Sequence, residues 1–400
     1  MRNEQRAYER DERRLKKERL IRKRSLRIYR RVTIIFLGLM LIAGVFLVVK
    51  KDKTYSETEN RMLAQKPEFS MDSLISGQFM QDVESYVTDQ FFIRDKWINL
   101  KMLEDLFLGK RESNGVYIGK EKQLIEIPSE PNQESLQANL EAICRFAESH
   151  GTVNTVMTLV PNAAYICDDK LPAFAPVRNQ AEDIAQVKQT VENSLHFVDL
   201  TQTLYAHKQE NLYYKTDHHW TSLAAYYAFE AMTEQLNIPQ AVQEYKIYPV
   251  THSFSGTLAS KSGYDRGRDS IEIYVPQGVN TDCVVTYVDE KRKSASIYES
   301  AALSNKDKYE VFFGGNYTRV DIEMPSEENR NLLIFKDSYA NCFVQFLIPY
   351  YRKILMVDPR YYSDDIEKLV EDNAITDMLF LYNVNTFMTD NSIADVLSEE

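Results

Sequence analysis

Eighteen consecutive uncharged residues, Val32–Val49 (VTIIFLGLMLIAGVFLVV), constrain this chain more than any other stretch. A helix of that length rises about 27 Å, enough to cross the hydrocarbon core of a bilayer when long cationic side chains at its ends reach back to the headgroups. Arg30 and Arg31 precede the run, and Lys50 and Lys51 follow it. The run also divides the charge. Residues 1–31 hold 14 Lys+Arg and 5 Asp+Glu, whereas the chain as a whole carries a net charge of -11. A basic head, an apolar span and an acidic body predict a single-pass protein of the cell membrane, with residues 1–31 cytoplasmic and the body extracellular. The alternative is a cleaved signal peptide. Its n-region would be unusually long and no A-x-A site follows promptly, which favours an uncleaved anchor over residues 32–49.

The acidic body argues against nucleic acid as a partner. Cys144, Cys167, Cys283 and Cys342 are widely spaced with no C-x-x-C, so no disulfide framework is indicated. Residues 50–130 read as a polar stalk, an amphipathic pattern from Met71 to Leu108, and a hairpin around Val116–Ile118 and Gln123–Ile125. From residue 131 to 400 helix and strand patterns alternate. Helices are expected over 134–149, 181–193, 223–236, 339–350 and 363–372. Strands are expected over 152–160, 196–200, 331–336, 353–358 and 378–382. Residues 245–325 read as a β-rich insertion. Alternating strands and helices imply an α/β domain with a parallel sheet covered on both faces.

The most chemically loaded stretch is Tyr213-Tyr214-Lys215-Thr216-Asp217-His218-His219-Trp220-Thr221-Ser222. It precedes an apolar-periodic helix for which Thr221 or Ser222 is a good N-cap. Asp217 and His219, two apart in extended backbone, would point the same way. Asp217 then orients the imidazole, which is half of a nucleophilic triad. Asp217, His218 and His219 are also possible metal ligands, but adjacent histidines rarely reach one ion and no H-E-x-x-H motif accompanies them. No metal and no cofactor are expected. A structural turn with satisfied side chains is the plainer alternative.

The other half lies in Leu332-Leu333-Ile334-Phe335-Lys336-Asp337-Ser338-Tyr339, which reads as strand, tight turn, helix. Ser338 would sit outside a strand's carboxyl end, where open α/β sheets bind ligands, and at a helix N-terminus whose N–H groups can stabilise an oxyanion. Asp337 and Ser338 as simple helix caps are the competing reading. Arg360 follows the next strand and Tyr382-Asn383 ends the one after, so each can supply an oxyanion or substrate contact.

These residues carry a resemblance. YYKTDHHWTSLAAYYAF resembles the signature of the DHHW protein family, and FKDSYANCFVQFLIPYY and MVDPRYY are similar to its downstream blocks. ENRML, DQFFIRD and LGKRESNGVYIG resemble segments of the alginate O-acetylation proteins of the SGNH-hydrolase-like superfamily. The resemblance implies an αβα sandwich with SGNH elements in permuted order. It implies Asp217, His219 and Ser338 as the triad, with Arg360 and Tyr382 near it and Asn383 in place of the oxyanion asparagine. The glycine usual before Asp-Ser in SGNH enzymes is Lys336 here. Partners implied are a cell-surface polysaccharide and a membrane-bound O-acyltransferase. The expectation is therefore an anchored O-acyltransferase or esterase, with His218 and Trp220 supporting or facing substrate. The competitors are a non-catalytic glycan-binding or assembly protein and a metal-dependent hydrolase.

Overall fold

The structure is a computed structural model and describes residues 2–56, 61–238, 244–326 and 329–398. Two compact units divide the chain, Met1–Ser56 with Arg61–Ile98 in one and the remainder in the other. The first unit begins with the helix α1, Arg2–Val49. Within it, Ile21–Phe46 forms one helix near the N-terminus that is long and apolar enough to cross a membrane. The amphipathic stretch from Met71 to Leu108 is three helices, α2 (Met71–Ile75), α3 (Gln78–Gln90) and α4 (Arg94–Phe107), the last running on from the first unit into the second. Ser70 caps α2 in a reciprocal capping box with Ser73. The residues after α1 are held in place. The Gln90 side chain accepts from the Lys53 N–H and donates to the Lys53 and Ala64 carbonyls.

The second unit is built on an eight-stranded sheet. Its strands are β1 (Asn154–Val160), β2 (His196–Asp199), β3 (Val284–Tyr287), β4 (Arg292–Ser294), β5 (Arg319–Glu323), β6 (Asn331–Lys336), β7 (Lys353–Val357) and β8 (Asp377–Asn383). The spatial order is β4-β3-β5-β7-β6-β8-β1-β2. β7, β6, β8, β1 and β2 are parallel, while β5, β3 and β4 continue the sheet antiparallel. Much of the expected β-rich insertion is thus an edge of the main sheet. The rest is a bulged two-stranded ribbon, Tyr245–Phe254 with Asp269–Pro276, and a short helix, Thr257–Ser262.

Period-two alternation sorts the core onto two faces. In β6, Leu332 and Ile334 face a cluster that contains Trp220, Phe229 and Phe343. Leu333 and Phe335 face the other cluster, with Leu140, Ile184 and Leu369. Helices α5 (Gln133–Ser149), α6 (Gln180–Val191) and α8 (Ile366–Asp372) cover that second face. Helix α7 (Ser222–Met232) covers the first. The result is the αβα sandwich expected from the sequence. The helix expected over 339–350 is only a single turn, Ala340–Phe343, followed by short 3₁₀ turns. Side chains take its carbonyls: the Trp220 indole N–H donates to Tyr339 O, and Gln345 Nε2 donates to Cys342 O.

The connections place the site. The chain leaves β1 toward β2 on one side and β6 toward β7 on the other, then returns as β8 between β6 and β1. Connections that diverge in this way open a crevice at the carboxyl ends of the strands. Residues 161–162, 337–338, 358–360 and 383 all lie at that edge, because the strands they follow are parallel.

Candidate active site

Residues 213–220 form a loop closed by an isolated antiparallel bridge between Tyr213 and Trp220. Tyr214 N–H donates to His219 O, and Thr221 N–H donates to Leu212 O. The hairpin below braces it: Leu124 N–H donates to Lys215 O and Gln123 Nε2 to Tyr214 O. Thr221 caps α7 through the Ala224 N–H. The segment is the loop expected, but it is a tight turn and not locally extended backbone. Asp217 and His219 still meet, because Asp217 Oδ1 accepts the His219 backbone N–H at 3.0 Å in an Asx-type turn. The same oxygen accepts His219 Nδ1–H at 2.5 Å. His219 Nε2 lies 2.7 Å from Ser338 Oγ. Two segments 119 residues apart are thereby joined by one hydrogen bond.

The electrostatics favour proton transfer. Asp217 is buried, which by itself pushes its carboxyl up. The adjacent His219 and His218 imidazoles, and the bonds from His219 and the Thr257 N–H, pull it further down, below the usual carboxylate range. His219 falls below the ordinary imidazole value, first through burial and then through the charge of His218, against the opposing pull of Asp217. At neutral pH the pair is therefore carboxylate and neutral imidazole, with Nδ1 carrying the hydrogen and Nε2 free to accept one.

Several positions at the site escaped the sequence reading. Thr257 donates to Asp217 Oδ2 twice, from its N–H at 2.7 Å and its hydroxyl at 2.8 Å. That hydroxyl also meets His218 Nδ1 at 2.8 Å. Gly256 lies so close to Asp217 that an added Cβ would stand 2.7 Å from its Cγ. Tyr309 stacks on the His219 ring, with centroids 3.8 Å apart, and donates to Ser338 O. Tyr339 donates from its hydroxyl to His218 O. The glycine in Phe254-Ser255-Gly256-Thr257-Leu258 was the one legible signal, a small residue interrupting a β-rich run. Nothing local marked Tyr309, since its role exists only once the fold lays its ring on His219.

The remaining expected residues fall in three groups. His218 and Arg360 line a polar cleft of about 410 Å³, with Glu126, Asn385 and Asp390 among its walls. Asp358 grips the Arg360 guanidinium at 2.8 and 2.6 Å. Asn383 reaches the same cleft, but its Nδ2 is engaged by Asp337 Oδ2 at 2.6 Å and Thr386 Oγ1 at 2.7 Å. It caps the turn after β8 instead of offering a free donor. Trp220 and Tyr382 do not line the cleft. Trp220 is fully buried and binds Tyr339 O. Tyr382 shares the far face of the sheet with Met378 and Phe380, because alternation along β8 turns it away.

Lys336, which stands where a glycine was expected, has ordinary negative φ, so the turn needs no glycine. Its buried ammonium donates to Asn316 and Asn341 and lies 3.7 Å from Asp358. Burial pushes it down to about 8. Asp337 does not face the imidazole. Its oxygens accept from Tyr339 N–H and from both nitrogens of Asn383, tying the ends of β6 and β8 together. The short turn after Ser338 also removes the long helix dipole expected there. What is left for an oxyanion is the Ser338 N–H itself, which has no backbone partner among the described residues.

Asp217, His218 and His219 bring possible ligand atoms within 4.8 Å of one another. Both Asp217 oxygens already accept from His219 and Thr257, and His219 Nε2 is on Ser338. Holding an ion on His219 Nε2 would mean giving up its bond to Ser338.

Comparison with known proteins agrees with this fold. The DHHW protein family model matches residues 133–357. The chain is similar to a DHHW family protein from Eubacterium siraeum at 25% identity and a TM-score of 0.58, covering 72% of this chain and 98% of that one. It is also similar to Bacillus cereus PatB1, solved with a sulfonyl adduct, at 19% identity and a TM-score of 0.57, covering 68% of this chain and 96% of that one. The O-acetyltransferase domain of Pseudomonas putida AlgJ aligns at 14% identity and a TM-score of 0.45, over 71% of this chain and 98% of its own. None of the curated proteins matches. With more than half of its length matched by the family model, the chain belongs to the DHHW protein family.

Proposed function

We propose that this protein is a membrane-anchored O-acyltransferase or esterase that moves acyl groups on a cell-surface polysaccharide, with Ser338 as nucleophile. Its N-terminal basic segment lies in the cytoplasm, residues 32–49 cross the membrane and the catalytic domain works outside. The observation that carries the reading is the continuous relay from Ser338 Oγ through His219 to Asp217, with the intervening His218 lining a polar cleft.

Ser338 Oγ attacks the acyl carbonyl while its proton passes to His219 Nε2. Asp217 stabilises the imidazolium that forms. The Ser338 N–H meets the developing oxyanion, and Arg360 holds a substrate oxygen in the cleft. Collapse breaks the ester bond, and the leaving alkoxide takes the proton back from His219. The acyl-serine is then attacked by a sugar hydroxyl, or by water, which gives its proton to His219; collapse breaks the acyl–Oγ bond and Ser338 Oγ takes that proton back. Asn385, Asp390 and Glu126 line the cleft with acceptors and donors that suit the hydroxyls of a glycan. The donor is an acylated carrier delivered from the membrane, consistent with a membrane-bound O-acyltransferase as partner.

The test uses the purified protein with p-nitrophenyl acetate and, separately, a sulfonyl fluoride. Ester cleavage is expected, as is a mass increment on Ser338. Both are lost in Ser338→Ala. Turnover that survives in Ser338→Ala, or a well-folded wild type that neither turns over ester nor takes up the reagent, overturns the assignment.

A further inference from the structure

Tyr309 sits on a 3₁₀ turn, Lys308–Val311, outside both segments that form the relay. It nevertheless touches each of them. Its ring lies over the His219 imidazole, with centroids 3.8 Å apart and planes inclined by 13°. Its hydroxyl donates to Ser338 O at 3.0 Å. The side chain is buried and has little room to move. It meets the Tyr214 ring edge-on at 6.2 Å and the Phe312 ring at 5.3 Å, and its own N–H donates to Asp307 Oδ1.

It is the face of the Tyr309 ring, where the quadrupole is negative, that meets the imidazole. For a neutral imidazole such a contact is packing. For an imidazolium it is an electrostatic attraction as well, and a stronger one where water is excluded. His219 changes from one form to the other when it takes the Ser338 proton. The contact therefore strengthens on the way to the transition state, which is the condition for raising kcat. Asp217 meets the imidazole at Nδ1, while Tyr309 covers its face. The other two rings nearby do not do this. The His218 ring, 3.9 Å away, has the wrong sign whenever it is charged, and Tyr339 stands off at 5.5 Å with planes inclined by 44°.

We propose that Tyr309 is a positioning residue of the triad whose ring face stabilises the positive charge that appears on His219 during acyl transfer. Its hydroxyl adds a second function by holding the Ser338 carbonyl, so that one side chain fixes the nucleophile and the base relative to each other. The inference rests on the reading of His219 as the base that serves Ser338.

The test uses the purified full chain with p-nitrophenyl acetate. Position 309 carries phenylalanine, or phenylalanine with one, two or three ring fluorines. Fluorine draws electrons from the ring face while leaving its size nearly unchanged. Tyr309→Phe keeps the ring and loses the bond to Ser338 O, and should lower kcat by no more than about tenfold. Successive fluorines should then lower kcat in steps, by roughly 2- to 30-fold in all, with KM and Tm unchanged. A kcat indifferent to the fluorines overturns the inference and leaves the relay standing, because the ring would then only fill space. Tyr309→Phe as inactive as Ser338→Ala also overturns it, because the hydroxyl alone would then govern turnover. A wild-type chain that cleaves no ester overturns the relay and this inference together.

Discussion

Gly256→Ala is the sharpest test of how Asp217 is positioned. Gly256 has φ −87°, so the backbone itself accepts alanine. The obstacle is space: the new Cβ would stand 2.7 Å from Asp217 Cγ and nearer still to Asp217 Cβ and Oδ2. Unbonded carbons settle at about 3.5–4.0 Å, so Asp217 or the 256–257 backbone must yield by about 1 Å. Either movement strains the two bonds from Thr257 to Oδ2 and the Oδ1 contact with His219. Overpacking of this size costs about 1–3 kcal/mol of stability, which lowers Tm by several degrees in a domain this large. A misplacement of about 1 Å in a catalytic array costs on the order of 10²-fold in rate. The expectation is thus a folded protein with kcat for p-nitrophenyl acetate down by roughly 10²-fold and KM little changed. The assay pairs steady-state kinetics with thermal melting of the same sample. Wild-type kcat in Gly256→Ala would refute the reasoning, because it would mean that the position of Asp217 does not matter to turnover.

Other expectations follow from the same bonds. Thr257→Val keeps the N–H to Asp217 but removes the hydroxyl, and should lower kcat by roughly 10- to 150-fold, matching the roughly 1.5–3 kcal/mol of a hydrogen bond to a charged group; stopped-flow or steady-state ester hydrolysis reads it. The neutral form of His219 is the one that accepts the serine proton, so activity rises with pH through its pKa. With that pKa pushed down to about 4, kcat/KM should stay level from neutrality to well below the ordinary imidazole value. His218→Asn removes a charge that depresses His219, so its acid limb should shift to higher pH in a kcat/KM profile. Trp220→Phe leaves Tyr339 O without its indole donor in a buried site and should cost about 1–3 kcal/mol in denaturant unfolding, more than a surface change would.

Some of this was written in local sequence. The apolar run specifies a helix long and apolar enough to cross a membrane, because length and hydropathy are properties of the local sequence and not of neighbours. Alternating strand and helix patterns specify the sandwich, since each buried strand must be covered on both faces. Asp217 and His219 are close in sequence, so a turn suffices to pair them. Other features are set by groups far away in the chain. The loop that carries Asp217 is a bridged turn bonded from elsewhere in the fold, by the strand Leu124–Glu126 at Lys215 O and by Thr257 at Asp217. Residues 339–350 broke after one turn because Trp220 and Gln345 side chains claim its carbonyls. Asn383 and Asp337 bond to each other across adjacent strands, a pairing that sheet order alone creates. The types of residue needed for the chemistry can be read from the chain by itself. Which of them meet depends on strand order and crossover direction, since contacts across a sheet have no period in sequence.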